Sequence, residues 1–109
     1  MEPESRFVET DGVNHHYLEW GDPEKPNILM FHAVGMCAAI WNNAARDLAE
    51  DYHVCSFDLR GHGDTEHPDG EYTFMQIGHD TASVIKALKL EGSICIGHSA
   101  GGMSMLIAD

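Results

Sequence analysis

Ser93-Ile94-Cys95-Ile96-Gly97-His98-Ser99-Ala100-Gly101-Gly102-Met103-Ser104-Met105-Leu106-Ile107 runs from a short Ile-rich apolar segment into a Gly-x-Ser-x-Gly turn, then into residues able to start a helix. The apolar segment reads as a buried strand. In that strand–turn–helix setting, a serine at the apex of the turn sits on a strained backbone with its hydroxyl above the sheet. Gly97 and Gly101 are expected because the chain folds back so sharply that a Cβ at either place would collide with a neighbouring strand or helix.

Working outward, 109 residues allow at most one small domain. Apolar residues make up 43%, a globular share, with no repeat or low-complexity stretch. The 18 acidic and 6 basic side chains give a formal charge of −12. That balance repels phosphate backbones and anionic lipid, so neither nucleic acid nor a membrane surface is an expected partner. The N-terminus is acidic, unlike a signal peptide, and no apolar run approaches the roughly 20 residues of a membrane helix. Cys37, Cys55 and Cys95 are an odd number without zinc-type spacing, and Cys55 and Cys95 fall in expected buried strands. A reduced, cytoplasmic protein is the simplest fit.

Phe7–Thr10, Asp11-Gly12 and Val13–Trp20 read as a hairpin with Asp-Gly at its turn. Residues 21–26 form a loop, and Asn27–His32 is a continuous apolar run typical of a strand covered on both faces. Between Cys37 and Tyr52, the recurrence of Trp41, Ala44, Ala45, Leu48 and Tyr52 predicts an amphipathic helix. His53–Asp58 is the next strand and residues 59–72 a polar, Gly-rich loop. Thr73 and Gln76 form a capping-box pattern ahead of a helix whose apolar face carries Phe74, Ile77, Thr81, Val84, Ile85 and Leu88. A hairpin followed by alternating strands and helices predicts an α/β fold with a largely parallel sheet. Its ligand site would lie at the carboxyl ends of the strands, where Ser99 falls.

A serine hydroxyl needs a base to take its proton and two donors to hold the oxyanion formed on attack at a carbonyl. The N–H of Ala100, directly after Ser99, is one candidate donor. The turn Ala33-Val34-Gly35 offers the other.

Over nearly its whole length the chain resembles the α/β-hydrolase superfamily. The match rests on Phe31-His32-Ala33-Val34-Gly35, Trp41, Asp58-Leu59-Arg60-Gly61-His62-Gly63-Asp64-Thr65 and Gly97-His98-Ser99-Ala100-Gly101-Gly102. The resemblance implies Ser99 as nucleophile, the N–H groups of Val34 and Ala100 as oxyanion hole, and no cofactor or metal. The sequence departs from the family at Ala33, where Gly is usual, and at Thr65, where Ser is usual. The resemblance also implies a triad in the order serine, acid, histidine, yet only eight residues follow Gly101, with Asp109 and no histidine among them. Of the earlier histidines, His98 should leave the elbow in another direction, and the family uses His32 structurally.

Residues 1–109 are therefore expected to be a partial domain with an incomplete sheet: strands one to five, the start of the nucleophile helix, and no cap region. Alone the chain is expected to be inactive. Its Ile94-Cys95-Ile96 strand would be an apolar edge prone to self-association. In complete form it would hydrolyse carboxylic ester-type bonds through an acyl-enzyme. Lactones, thioesters, amides and vinylogous diketones stay open as substrates. The alternative is a non-catalytic, truncated or receptor-like relative that acts by binding.

Other groups carry blander readings. Asp58 and Arg60 are expected to hold the loop after the fourth strand. His62, Asp64, Glu66 and His67 lack a convincing third ligand for a metal. His15 and His16 should point to opposite faces of their strand, Met103 and Met105 to pack, and Cys37 to act as a small filler. A dinucleotide fingerprint fails because Ser99 stands where a second Gly belongs.

Overall fold

The computed structural model describes residues 1–68 and 72–108. Strands β1 (Glu4–Thr10) and β2 (Val13–Trp20) form the hairpin. Asp11 and Gly12 at its tip both have positive φ, 49° and 79°. A type I′ turn requires that conformation at both central residues, which is why Asp-Gly suits it. β1 begins three residues earlier than the apolar pattern predicts, because Glu4, Ser5 and Arg6 pair with Glu19, Leu18 and Tyr17. An edge strand needs no alternation of its own to be recruited by backbone hydrogen bonds.

β3 (Asn27–Phe31), β4 (His53–Phe57) and β5 (Ile94–Gly97) complete a five-stranded sheet in the order β1-β2-β4-β3-β5. β2 runs antiparallel to β4, while β3 is parallel to both β4 and β5. The sheet is therefore mixed at the hairpin and parallel where the glycine-rich turn emerges.

Alternate residues of the buried strands feed two cores. Leu29, Phe31, Cys55 and Phe57 pack with Ile77 and Val84 of α2 (Phe74–Ala87), and Met105 of α3 (Ala100–Ala108) joins from its rim. On the other face Ile28, Met30, Val54 and Trp20 pack against Ala45 of α1 (Asn42–Leu48) and Ala49.

The helix expected between Cys37 and Tyr52 is shorter and split. A 3-10 turn spans Ala38–Trp41, and α1 follows it. Neither start has a side-chain cap of its own. Instead the buried Asp58 carboxylate accepts the Ala38 N–H at 2.7 Å, so the loop after β4 decides where this segment begins. At α2 the Thr73 hydroxyl accepts the Gln76 N–H at 3.1 Å, while the Gln76 amide turns to Asp80 rather than back to the cap. Phe74, expected on the apolar face, is exposed. Cys95, expected to be buried, is half-buried because β5 pairs on one side only. Residues 69–71 of the expected 59–72 loop, and Asp109, lie outside the described residues.

Candidate active site

The parallel strands β3, β4 and β5 end on the same side of the sheet. The chain leaves them there as the 33–35 turn, the loop from Asp58, and the junction at His98 and Ser99. Ser99 has φ 56°, a left-handed conformation that costs a non-glycine residue ~1–2 kcal/mol. Its side chain is exposed. The backbone around it leaves no room for substitution. A Cβ on Gly97 would lie 2.6 Å from the Gly102 nitrogen, and one on Gly101 would lie 2.8 Å from the His32 carbonyl and closer still to that of Phe31. The His98 N–H donates to the Phe31 carbonyl at 3.1 Å, which ties the junction to the end of β3. The collisions expected at both glycines are what the structure contains.

Ala100 is buried and opens α3, so its N–H belongs to the first turn, where helix donors have no intrahelical acceptor. On the neighbouring loop the Met36 N–H donates to the Ala33 carbonyl at 3.1 Å, closing a turn with Gly35 at φ 85°. That pattern puts Gly where a type II turn needs positive φ and leaves the Val34 N–H outside the turn's own bond. Ala33 does not have positive φ, so a methyl group is tolerated where Gly is usual.

Two histidines pin this turn. Buried His32 donates from Nδ1 to the Ala33 carbonyl at 2.7 Å and accepts the Leu59 N–H on Nε2 at 2.9 Å. His62 accepts the Gly35 N–H on Nε2 at 3.0 Å and donates from Nδ1 to the Arg60 carbonyl at 2.9 Å. Each ring holds one proton in this arrangement. Burial pushes the His32 pKa below its ordinary 6.5, which keeps that ring neutral.

A profile of the alpha/beta hydrolase fold matches residues 26–108. The chain belongs to the alpha/beta hydrolase family. It is 35% identical over 105 residues to the 2-hydroxy-6-oxo-6-(2'-aminophenyl)hexa-2,4-dienoic acid hydrolase of Metapseudomonas resinovorans, a match covering 93% of this chain and 36% of that protein. It is 30% identical over 93 residues to the bifunctional esterase/perhydrolase DCH of Acinetobacter calcoaceticus, covering 84% of this chain and 34% of the other. A thioesterase domain from the curacin biosynthetic pathway superposes with a TM-score of 0.88 at 30% identity, covering 95% of this chain and 40% of that one. The chain thus spans about a third of the length of these curated relatives.

In this alpha/beta hydrolase the loop after β4 is organised by Asp58. Its carboxylate accepts N–H groups from Ala38 (2.7 Å) and Asp64 (2.9 Å) and binds His16 Nδ1 (2.7 Å). Thr65 replaces the usual Ser without loss, since its hydroxyl donates to the Asp58 carbonyl at 2.7 Å and accepts the His16 N–H at 2.8 Å. Arg60 forms a two-pronged ion pair with Asp80 of α2, at 2.7 and 2.9 Å. His15 and His16 point to opposite faces as expected, but both are buried, and His15 Nε2 has no partner among the described residues. His62, considered with Asp64, Glu66 and His67 as a ligand set, uses both nitrogens on backbone groups.

No described histidine is hydrogen-bonded to the Ser99 hydroxyl. His16, His32, His53, His62, His67 and His79 all bond elsewhere. Sequence reading missed His62 as the anchor of the turn that carries Val34. A histidine 27 positions from the glycine it binds leaves no trace in local spacing. No helix among the described residues is long and apolar enough to cross a membrane.

Proposed function

We propose that Ser99 is the nucleophile of a serine hydrolase acting on carboxylic ester-type bonds, with the Val34 and Ala100 N–H groups as oxyanion hole. The observation that carries this reading is the left-handed φ of an exposed serine wedged between β5 and α3. A strained conformation at a non-glycine residue persists only where the surroundings hold it, and such residues cluster at working sites. Relatives named as an esterase and as a thioesterase domain support acyl transfer as the chemistry.

In the proposed reaction Ser99 Oγ adds to the carbonyl carbon as its proton passes to a base. The carbonyl oxygen becomes an oxyanion held by the two amides, each worth ~3–4 kcal/mol in sites of this kind. Collapse expels the alcohol and leaves an acyl-serine, which water then cleaves. Since no described histidine meets Ser99, turnover needs a base and an orienting acid from outside the described residues. The behaviour to be tested for residues 1–109 alone is background hydrolysis of activated esters and association through the outer edge of β5.

The test is p-nitrophenyl acetate hydrolysis together with size-exclusion of the purified chain. Background hydrolysis and a mixed or large species are expected. A monodisperse monomer whose turnover disappears in Ser99→Ala would overturn both the inactivity and the self-association. The second reading is binding without turnover, and an unreactive Ser99 in a folded sample would select it.

A further inference from the structure

We propose that Glu19, His53 and Cys55 form a binding site for a thiophilic divalent cation of the zinc type, at the end of the sheet opposite Ser99. The carboxylate, imidazole and thiol donor atoms all lie within 4.8 Å of one another. Sheet register brings them together: Glu19 on β2 is directly opposite Cys55 on β4, and His53 is two residues before Cys55 on the same face. Sulfur, nitrogen and oxygen on one face are the donors zinc selects, whereas calcium and magnesium take oxygen alone.

The orientation of His53 is the second observation. Its Nδ1 lies 2.7 Å from Oδ1 of Asn27, its register partner on β3. With Nδ1 turned to Asn27, Nε2 faces inward, hydrogen-bonded to Glu19 Oε2 at 2.6 Å and 3.8 Å from Cys55 Sγ. A metal-ligating histidine characteristically makes that outer hydrogen bond, which fixes the tautomer. The proton shared by Nε2 and Glu19 in that hydrogen bond stands where a cation would bind, and a cation would displace it.

Tetrahedral zinc, with bonds of about 2.0–2.3 Å, would hold its donors ~3.3–3.6 Å apart. The nitrogen–sulfur distance is already close to that. Glu19, whose side chain is partly exposed, has only to withdraw slightly. Arg6 holds its other oxygen, Oε1, and is itself half-exposed, so the mouth opens to solvent. Binding releases two protons to solvent, the one shared by His53 Nε2 and Glu19 Oε2 and that of the Cys55 thiol, and forms metal–nitrogen, metal–oxygen and metal–thiolate bonds, with water completing the fourth position.

The test is titration of the folded chain with cobalt(II), followed by zinc. The expected result is one equivalent bound, a near-ultraviolet sulfur-to-cobalt absorption displaced by zinc, and a higher melting temperature with zinc present. Cys55→Ser and His53→Gln should each abolish the absorption, and Asn27→Leu should weaken affinity about 10–100-fold. A Cys37→Ser/Cys95→Ser double variant should keep it. Where Cys55→Ser does not fold, Glu19→Gln at the open rim serves, and an undiminished affinity there overturns the site. No stoichiometric binding by the unmodified chain, or binding that survives in Cys55→Ser, overturns it as well.

Discussion

Gly35 donates its backbone N–H to Nε2 of His62 at 3.0 Å, so the loop after β4 holds the turn that carries Val34. The contact is exposed and water can replace it, which limits its weight in stability. His62→Ala should cost about 1 kcal/mol by urea unfolding. A loss above ~3 kcal/mol would mean the ring holds more than this turn.

Asp58 stands in the opposite case. It is buried, and it satisfies two backbone donors and His16 at once. Each donor left without a partner costs ~1–3 kcal/mol, so Asp58→Ala should remove ~3–5 kcal/mol or unfold the chain. A urea midpoint unchanged from that of the parent would remove Asp58 from its place as organiser of the loop.

Gly101 and Gly92 separate steric need from conformational need. Gly92 has φ 78° with nothing within 4 Å of a Cβ, so Gly92→Ala should cost only the ~1–2 kcal/mol of a left-handed residue. Gly101 has ordinary φ, but its Cβ would meet main-chain atoms of Phe31 and His32, which cannot step aside. Gly101→Ala should exceed the ~1–3 kcal/mol of ordinary overpacking. Equal losses in the two variants would contradict the close approach.

Acid should destabilise the fold in two stages. Burial lowers the pKa of His15 and His32 below 6.5, so the unfolded chain takes up protons that the folded chain refuses. Stability from these rings is complete above pH 6.5 and declines as pH falls below it. Asp11 is also lowered, chiefly by its hydrogen bond from His79, and its contribution is lost only as pH falls below 3.8. Urea midpoints across pH 8 to 5 should therefore drop on the acid side, and less so in His32→Gln (pH values chosen to span the ~6.5 of histidine). A midpoint that rises on acidification would reverse the assignment.

Local pattern made much of the fold legible. The Asp-Gly turn, the Asn27–Phe31 run, the cap at Thr73 and the glycines at 97 and 101 each state a backbone requirement within a few residues. What stayed hidden depends on which strands become neighbours. Capping of the Ala38 segment by Asp58, the His62–Gly35 bond and the meeting of Glu19 with His53 and Cys55 each join residues 20 to 36 positions apart, through a sheet order no local spacing encodes. Of the candidate site, Ser99 and its glycines were readable. The supports of the Val34 turn were not.

The central claim is that Ser99 is an exposed alcohol held beside free amides, and fluorophosphonate treatment of the folded chain with imidazole as added base tests it most directly. Peptide mapping should find the phosphonyl group on Ser99 in preference to Ser5, Ser56, Ser83, Ser93 and Ser104, with labelling lost in Ser99→Ala. Label spread evenly over the serines, or none at position 99, would contradict it.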